Sequence, residues 1–422
     1  MKKAILIVMV LLLAVTTVFA QGSTEATSTT EEAKPELVKL KVWYSISGKN
    51  GTFFESQVAS FLAEHPEIEI ELTYTGSYSD SATKISAAKL AGEAPDLVIT
   101  SASQLYPGED EDFSMEELVK DSDFDYDDFQ SGVLEYAKYN GRLASLPFAI
   151  STQVIYYNKD LVKNAGLDLE ANSPKTWAEF VEVCKQVQAA NSGIWGFDTS
   201  DGVWLLKSML YQNGNTVVQQ DGETITPVFD QESGIEVAEF WKSLVDEGVM
   251  PAQQHDNAEK KFLAGSLAFI AATSNRISKW TGSTTFEMGA IEMPYFKTPS
   301  VALGGSTCAI LTQEKWAKEA CWELVKYLLN TENQTAFALT SGYLPTRKSS
   351  LEREDVKAYI ADNELYEVAT SQLSYAWAYT HFGAMGSMDA FFWYALDDIE
   401  SGSATPEEAM KSAAQQLLAE ID

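Results

Sequence analysis

Small hydroxyl side chains stand where the apolar runs of this chain end, and they are the first residues whose type and placement could do chemistry. Leu146 to Ile150 runs into Ser151-Thr152, Leu267 to Ala272 runs into Thr273-Ser274, and Leu97 to Ile99 runs into Thr100-Ser101. A hydroxyl is neutral, donates one hydrogen bond and accepts two, so such groups suit the holding of a small polar molecule. The chain also carries 10 Trp and 18 Tyr. Trp43, Trp204, Trp280 and Trp377 are candidates to stack on the apolar C–H face of a sugar. Trp177, Trp241, Trp316 and Trp322 recur at helical spacing and read as core or helix surface.

Catalysis finds less support. Ser151 with His381 could pair a nucleophile with a base, but no G-x-S-x-G elbow is present, and a hydroxyl bonded to a ligand is the simpler reading. With 61 acidic residues, pairs of carboxylates are inevitable and signal no glycosidase. His65, His255 and His381 are too scattered for a metal motif, and no cofactor is expected. The acidic stretch 109–128 lacks EF-hand spacing and reads as solvated surface. Cys184, Cys308 and Cys321 are odd in number, without a C-x-x-C, and read as buried free thiols. A formal charge of −31 argues against nucleic acid and anionic lipid as partners.

Residues 1–20 have the form of a cleaved secretory leader: Lys2-Lys3, an apolar run from Ala4 to Leu13, and small residues before Gln21. No Cys follows, so no lipid anchor is expected, and the plain leader favours a periplasm. Residues 21–38 are rich in Ser, Thr, Glu and Ala and read as a disordered linker.

The elements that must position the hydroxyls begin at Leu40. Leu40, Val42 and Tyr44 alternate with polar or exposed positions as a strand, and Phe54, Val58 and Phe61 recur as a helix. Ile68 to Tyr74 alternates again, a helix follows up to Gly92, and Asp96 to Thr100 is a third strand. This βαβαβ order predicts a parallel sheet, whose ligands sit beyond the carboxyl ends of its strands. Leu146 to Lys159 reads as one buried strand in the middle of the chain. Thr176 and Glu179 are spaced as a capping box, and Thr405-Pro406-Glu407-Glu408 opens the last helix.

In this order the motifs resemble those of the extracellular solute-binding proteins of ABC importers, and within them the glycerol-3-phosphate binders. The stretches that carry it are VWYSISGKNG at 42–51, YTGSY at 74–78, PFAISTQVIYYNKDLVKNAGLD at 147–168, KKFLAGSLAFIAATS at 260–274, GGSTCAI at 304–310 and TSGYLPT at 340–346. The resemblance implies an α/β architecture of two lobes, the type II periplasmic-binding-protein fold, each lobe a mostly parallel sheet with flanking helices. Residues 39–149 plus 278–332 would form lobe I, and 150–277 plus 333–422 lobe II. A sugar, polyol or glycerol phosphate would sit in the cleft between them, closure would present it to the importer's transmembrane subunits, and a monomer is expected.

By motif match, ligand contacts are implied for Tyr78, Ser151, Thr273 with Ser274, Gly305 and Tyr343. Two positions depart from the glycerol-phosphate pattern. The Glu expected after the third strand is replaced by Thr100-Ser101-Ala102-Ser103, and the late Arg is absent from Thr380-His381-Phe382-Gly383. His381 or Arg276 could stand in for that Arg. Since a bidentate Arg is the main source of phosphate recognition, a neutral sugar or polyol is preferred.

Overall fold

The computed structural model of the chain describes residues 34–105, 114–222, 224–253, 255–379 and 381–421. The leader, most of the linker, part of the acidic stretch and Thr380 lie outside the described residues. The elements that build the site are strands β1 (Val38–Tyr44), β2 (Ile68–Tyr74), β3 (Leu97–Thr100), β4 (Leu146–Ser151), β5 (Gln153–Asn158), β6 (Trp195–Thr199), β7 (Leu267–Thr273), β8 (Met288–Ile291) and β9 (Gly304–Ile310). Four helices join them: α1 (Gly48–Glu64), α2 (Tyr78–Ala91), α3 (Gly202–Gln212) and α4 (Met385–Ser401).

Alternation makes β1. Val38, Leu40, Val42 and Tyr44 are buried while Lys39 and Lys41 face water. It pairs in parallel with β2 and β3, as the βαβαβ order predicts. Between β2 and β3, α2 starts at a capping box, with the Ser77 hydroxyl accepting from Asp80 N and the Asp80 carboxylate accepting from Ser77 N. It ends at Gly92, whose φ of 71° is left-handed. The expected capping box of Thr176 and Glu179 is likewise present at the start of the helix Trp177–Ala190.

Two sheets result. The first has the order β2-β1-β3-β9-β4 and the second β8-β5-β7-β6. Both are mixed. The βαβαβ strands are parallel, whereas β9 runs antiparallel to β3 and β4, and β5 antiparallel to β7 and β8. The antiparallel strands are those that enter from a crossing between sheets, so their direction is set by the crossing and not by a βαβ unit.

The stretch 146–159 is therefore not one strand. β4 belongs to the first sheet and β5 to the second, and the chain changes sheet at Thr152. The amide of Gln372, fully buried, braces this point: its Nε2 donates to Thr152 Oγ1 at 3.2 Å and to the Gln153 carbonyl at 2.8 Å, while Oε1 accepts from Met293 N at 2.7 Å. Thr152 O in turn accepts from Ser274 N at 2.8 Å. Nothing in the hydrophobic pattern marks Thr152 itself, although the expected lobe boundary at 149/150 lies within three residues of it.

β8, expected in lobe I, pairs with β5 in the second sheet. Phe337 and Tyr343, expected in lobe II, pack with Phe54, Phe61 and Phe148 in the core of the first sheet. The second sheet has its own core around Trp177, Phe180, Phe197, Trp241 and Phe269. Cys184, Cys308 and Cys321 are free and buried, and burial raises each thiol's pKa.

One polar network lies within the second core. His255 Nδ1 meets Asp198 Oδ1 and its Nε2 meets Glu400 Oε1, each at 2.7 Å. Trp241 Nε1 donates to the same Glu400 oxygen at 2.7 Å, and Gln253 N donates to Glu400 Oε2 at 2.6 Å. Burial alone would lower the His255 pKa, but the two carboxylate bonds outweigh it and hold the imidazole at about 9, above its ordinary 6.5. A group raised in the folded state stabilises fully below its unfolded pKa and loses that contribution as pH rises through the folded value. The melting temperature should therefore fall as pH rises from about 6.5 through 9. The loss corresponds to about 3 kcal/mol. Thermal melts of His255→Gln over the same range should show a lower but flatter profile; an alkaline limb identical to that of the unaltered protein would contradict this assignment.

Candidate functional site

A cleft of about 790 Å³ opens where the carboxyl ends of β1, β2 and β3 face the second sheet. The first sheet contributes Ser45 to Asn50, Gly76 to Tyr78, Ser101, Ser103, Gly304 and Gly305. The second contributes Asp201, Val203, Trp204, Lys207, Thr273, Asn275 and Arg276, with Tyr379 and Asp389 closing one end. Ser151 lies at the chain's crossing point, at the floor.

The first wall is a run of coupled hydroxyls. Ser45 Oγ and Thr75 Oγ1 are 3.0 Å apart. Ser101 Oγ lies 2.9 Å from Ser103 Oγ and 3.1 Å from the Tyr136 hydroxyl, which donates to the Gly305 carbonyl at 3.1 Å. The Tyr78 hydroxyl is 3.0 Å from Ser306 Oγ. Burial, with the Tyr343 phenol next in effect, pushes the Tyr78 pKa well above its ordinary value, so this wall stays neutral. On the opposite side Thr273 Oγ1 is buried without a hydrogen-bond partner, and Thr273 lines the cleft. An unpaired buried hydroxyl is a cost that a ligand would relieve.

Two glycines let the backbone come close. Gly305 has φ +117°, and a Cβ there would lie 1.9 Å from the Ala149 carbonyl oxygen of the neighbouring strand. A Cβ on Gly304 would lie 2.7 Å from Cζ2 of Trp204, so the indole rests directly on the backbone of β9. Trp204 Nε1 donates to the Ala302 carbonyl at 3.2 Å. The second sheet's helix α3 thus touches the first sheet through one ring.

Charge is confined to the cleft's two ends. At one end Asp201, the N-cap of α3, accepts from Trp204 N at 3.0 Å, and Lys207 Nζ donates to both carboxylate oxygens of Asp389 at 2.9 and 3.1 Å. Solvent reaches Asp201 through the cleft, yet protein surrounds its other sides. That desolvation raises its pKa, against the lowering effects of the Trp204 N–H and of Lys207. At the other end stand Lys49, Arg276 and Lys279; Asn50 Nδ2 and Ser278 Oγ both donate to the Ser341 carbonyl there. Arg276 is committed to Glu259 through Nε at 2.8 Å and through Nη2, and Lys279 Nζ is 3.7 Å from the same carboxylate.

Of the residues expected to contact a ligand, Tyr78, Ser151, Trp204, Thr273, Gly305 and Tyr343 come together in the cleft. Five others lie off it. Trp43 packs on the small cluster of Ile85, Val98 and Leu105 beneath α2, because it shares the Lys39 and Lys41 face of β1. Trp280 is fully buried, edge-on to Tyr156 at 5.2 Å. Ser274 is buried beside the crossing, its amide bonded to Thr152. His381 is buried between Tyr136 and Tyr379, with ring centroids at 5.2 and 5.1 Å. Burial, then Lys207, lowers its pKa to about 3, so it is neutral and cannot replace a missing Arg. Trp377 stacks on Tyr211 at 3.9 Å and is also off the cleft.

Asp201, Lys207 and Asp389 were missed. Asp201, Trp204 and Lys207 fall at i, i+3 and i+6 of D-G-V-W-L-L-K, one face of α3. That spacing could have drawn them in once Trp204 was placed. Asp389 sits in the second turn of α4 and has no comparable signal.

A family model described as bacterial extracellular solute-binding protein matches residues 56–364. The chain is 25% identical over 408 residues to the sn-glycerol-3-phosphate-binding periplasmic protein UgpB of Pectobacterium atrosepticum, covering 89% of this chain and 90% of that protein. Among solved structures it resembles the cyclic alpha-maltosyl-1,6-maltose binding protein from Arthrobacter globiformis (TM-score 0.78, 21% identity, 91% of this chain and 99% of that one). UgpB from Mycobacterium tuberculosis in complex with glycerophosphocholine gives a TM-score of 0.78 at 22% identity, covering 90% of this chain and 98% of that one. The two-sheet fold, the cleft between the sheets and a family match over most of the folded chain agree: this protein belongs to the bacterial extracellular solute-binding proteins.

Proposed function

We propose that the cleft captures a neutral sugar or polyol in the periplasm, that the parts carrying the two sheets close on it, and that the closed form hands it to the membrane subunits of the importer. The solute-binding component of an ABC importer is the role that family membership gives this chain. The observation that carries the choice of ligand is the cleft's chemistry: a wall of neutral hydroxyls, an indole, and no guanidinium free of a carboxylate partner among the lining residues. Neutral hydroxyls and exposed backbone groups match a polyol's own donors and acceptors, and the Trp204 ring offers a face for its C–H groups. Binding leaves the ligand chemically unaltered.

A second reading is glycerol 3-phosphate or one of its diesters. The name of the UgpB relative favours it, and so does the end of the cleft where Lys49, Arg276 and Lys279 stand near the N-terminus of α1. On this proposal lobe I comprises the elements of the first sheet with 331–344, and lobe II those of the second with 288–291.

A thermal-shift screen over sugars, polyols and glycerol 3-phosphate separates the readings. A ligand at 100 times its dissociation constant adds about 2.7 kcal/mol of stability. Neutral ligands are expected to raise the melting temperature more than the phosphate does, and the reverse order would favour the second reading. Ser151→Ala and Tyr343→Phe should each weaken binding by about 1–3 kcal/mol in titration calorimetry. Unchanged affinity in both would remove these residues from the site. Trp204→Phe should abolish the larger part of any ligand-induced change in tryptophan fluorescence; a full-sized response in that variant would mean that the ligand lies away from α3.

A further inference from the structure

We infer that Asp389 is a specificity-determining residue of the cleft, accepting hydrogen bonds from two adjacent hydroxyls of the ligand, and that Lys207 is the positioning residue that fixes it. The inference rests on the reading of the cleft as a sugar or polyol site.

Geometry separates the two roles. Both residues line the cleft, but the Lys207 side chain is 3% exposed against 28% for Asp389, so the carboxylate is the group of the pair that is more open to a ligand. Lys207 Nζ gives bonds of 2.9 and 3.1 Å to the two oxygens of Asp389 and stands 4.2 Å from the centre of the Tyr379 ring. A buried ammonium with few partners binds the carboxylate it has firmly, because the alternative is an unpaired buried charge. The carboxylate is thereby held in one orientation. Each oxygen has a second lone pair that Lys207 does not use.

Those free lone pairs define what fits. A carboxylate offers only acceptors, in pairs, and two vicinal O–H groups offer donors in pairs. Bonds to an ionised acceptor are roughly twice as strong as neutral ones. The indole of Trp204 lies on the same face of α3 as Lys207, so a ring that gives its hydroxyls to Asp389 can lay its C–H face on Trp204. Asp201, on that face as well, adds a second acceptor, and its pKa is raised by burial. A phosphate is excluded from this end by the two carboxylates. An anionic group on any ligand must point toward Lys49 and Arg276 instead. The pair therefore orients the ligand as well as selecting it.

The test uses the full mature chain and four probes: glucose, maltose, glycerol and sn-glycerol 3-phosphate, titrated calorimetrically. For the probe bound most tightly, Asp389→Asn should weaken binding about ten- to a hundredfold, and because it leaves the Lys207 ammonium without its carboxylate the ligand-free melting temperature should fall as well. Lys207→Met should weaken it by a similar factor. The double variant should bind no worse than the weaker single one, because both changes act through one carboxylate. Purely structural damage would instead accumulate. Should Lys207→Met fail to fold, Asp389→Asn decides alone, since it keeps the shape of the side chain. Binding by Asp389→Asn within about threefold of the unaltered protein overturns the inference and leaves the sugar-binding role standing. If the unaltered protein binds none of the four probes, the reading of the cleft falls and this inference with it.

Discussion

The architecture depends on one length of backbone that serves two sheets. β4 is hydrogen-bonded to β9 and β5 to β7 and β8, with Thr152 alone between them. Because every buried amide and carbonyl must find a partner, a chain that leaves one sheet must join the next at once or be braced by side chains. Here Gln372 and the Ser274 amide supply the bracing. The cleft follows from this: two sheets tethered by so short a connection cannot separate, yet they share no ladder that would weld them. The loops at the carboxyl ends of the first sheet then have to face the second.

Polarity within the cleft is divided along the same line. The first sheet presents hydroxyls already bonded to one another, and the second presents a carboxylate fixed by a buried lysine. Neutral groups ordered by their neighbours lose little freedom when a ligand arrives, so the enthalpy of new hydrogen bonds is less offset by entropy. The fixed charge supplies direction. The two walls thus divide affinity and orientation between them.

Much of this was legible in the sequence, and the exceptions share a cause. The βαβαβ unit could be read because alternation, caps and the left-handed Gly92 all point the same way. Hydroxyls at strand ends were found because their position along the chain fixes their position in the sheet. What failed was the assignment of faces. Trp43 and Trp204 look alike in composition, but Trp43 lies on the side of β1 that faces α2. His381 and Trp280 sit in cores whose walls come from distant segments. Thr152 does not interrupt the apolar run in which it changes sheet. Lys207 and Asp389 are 182 residues apart, and each alone resembles a solvated helix residue.

The contact between Trp204 and Gly304 has a mechanical consequence. Gly304 pairs with Ser151, one residue from the crossing, so the ring sits close to the axis about which any closure must turn. A displacement beside a pivot is magnified at the far rim, as in a lever. Side-chain volume at residue 304 therefore acts as a shim: a larger group would prop the rim apart and reduce the fraction of molecules ready to close. Affinity would fall by that fraction although every ligand-contacting group was retained.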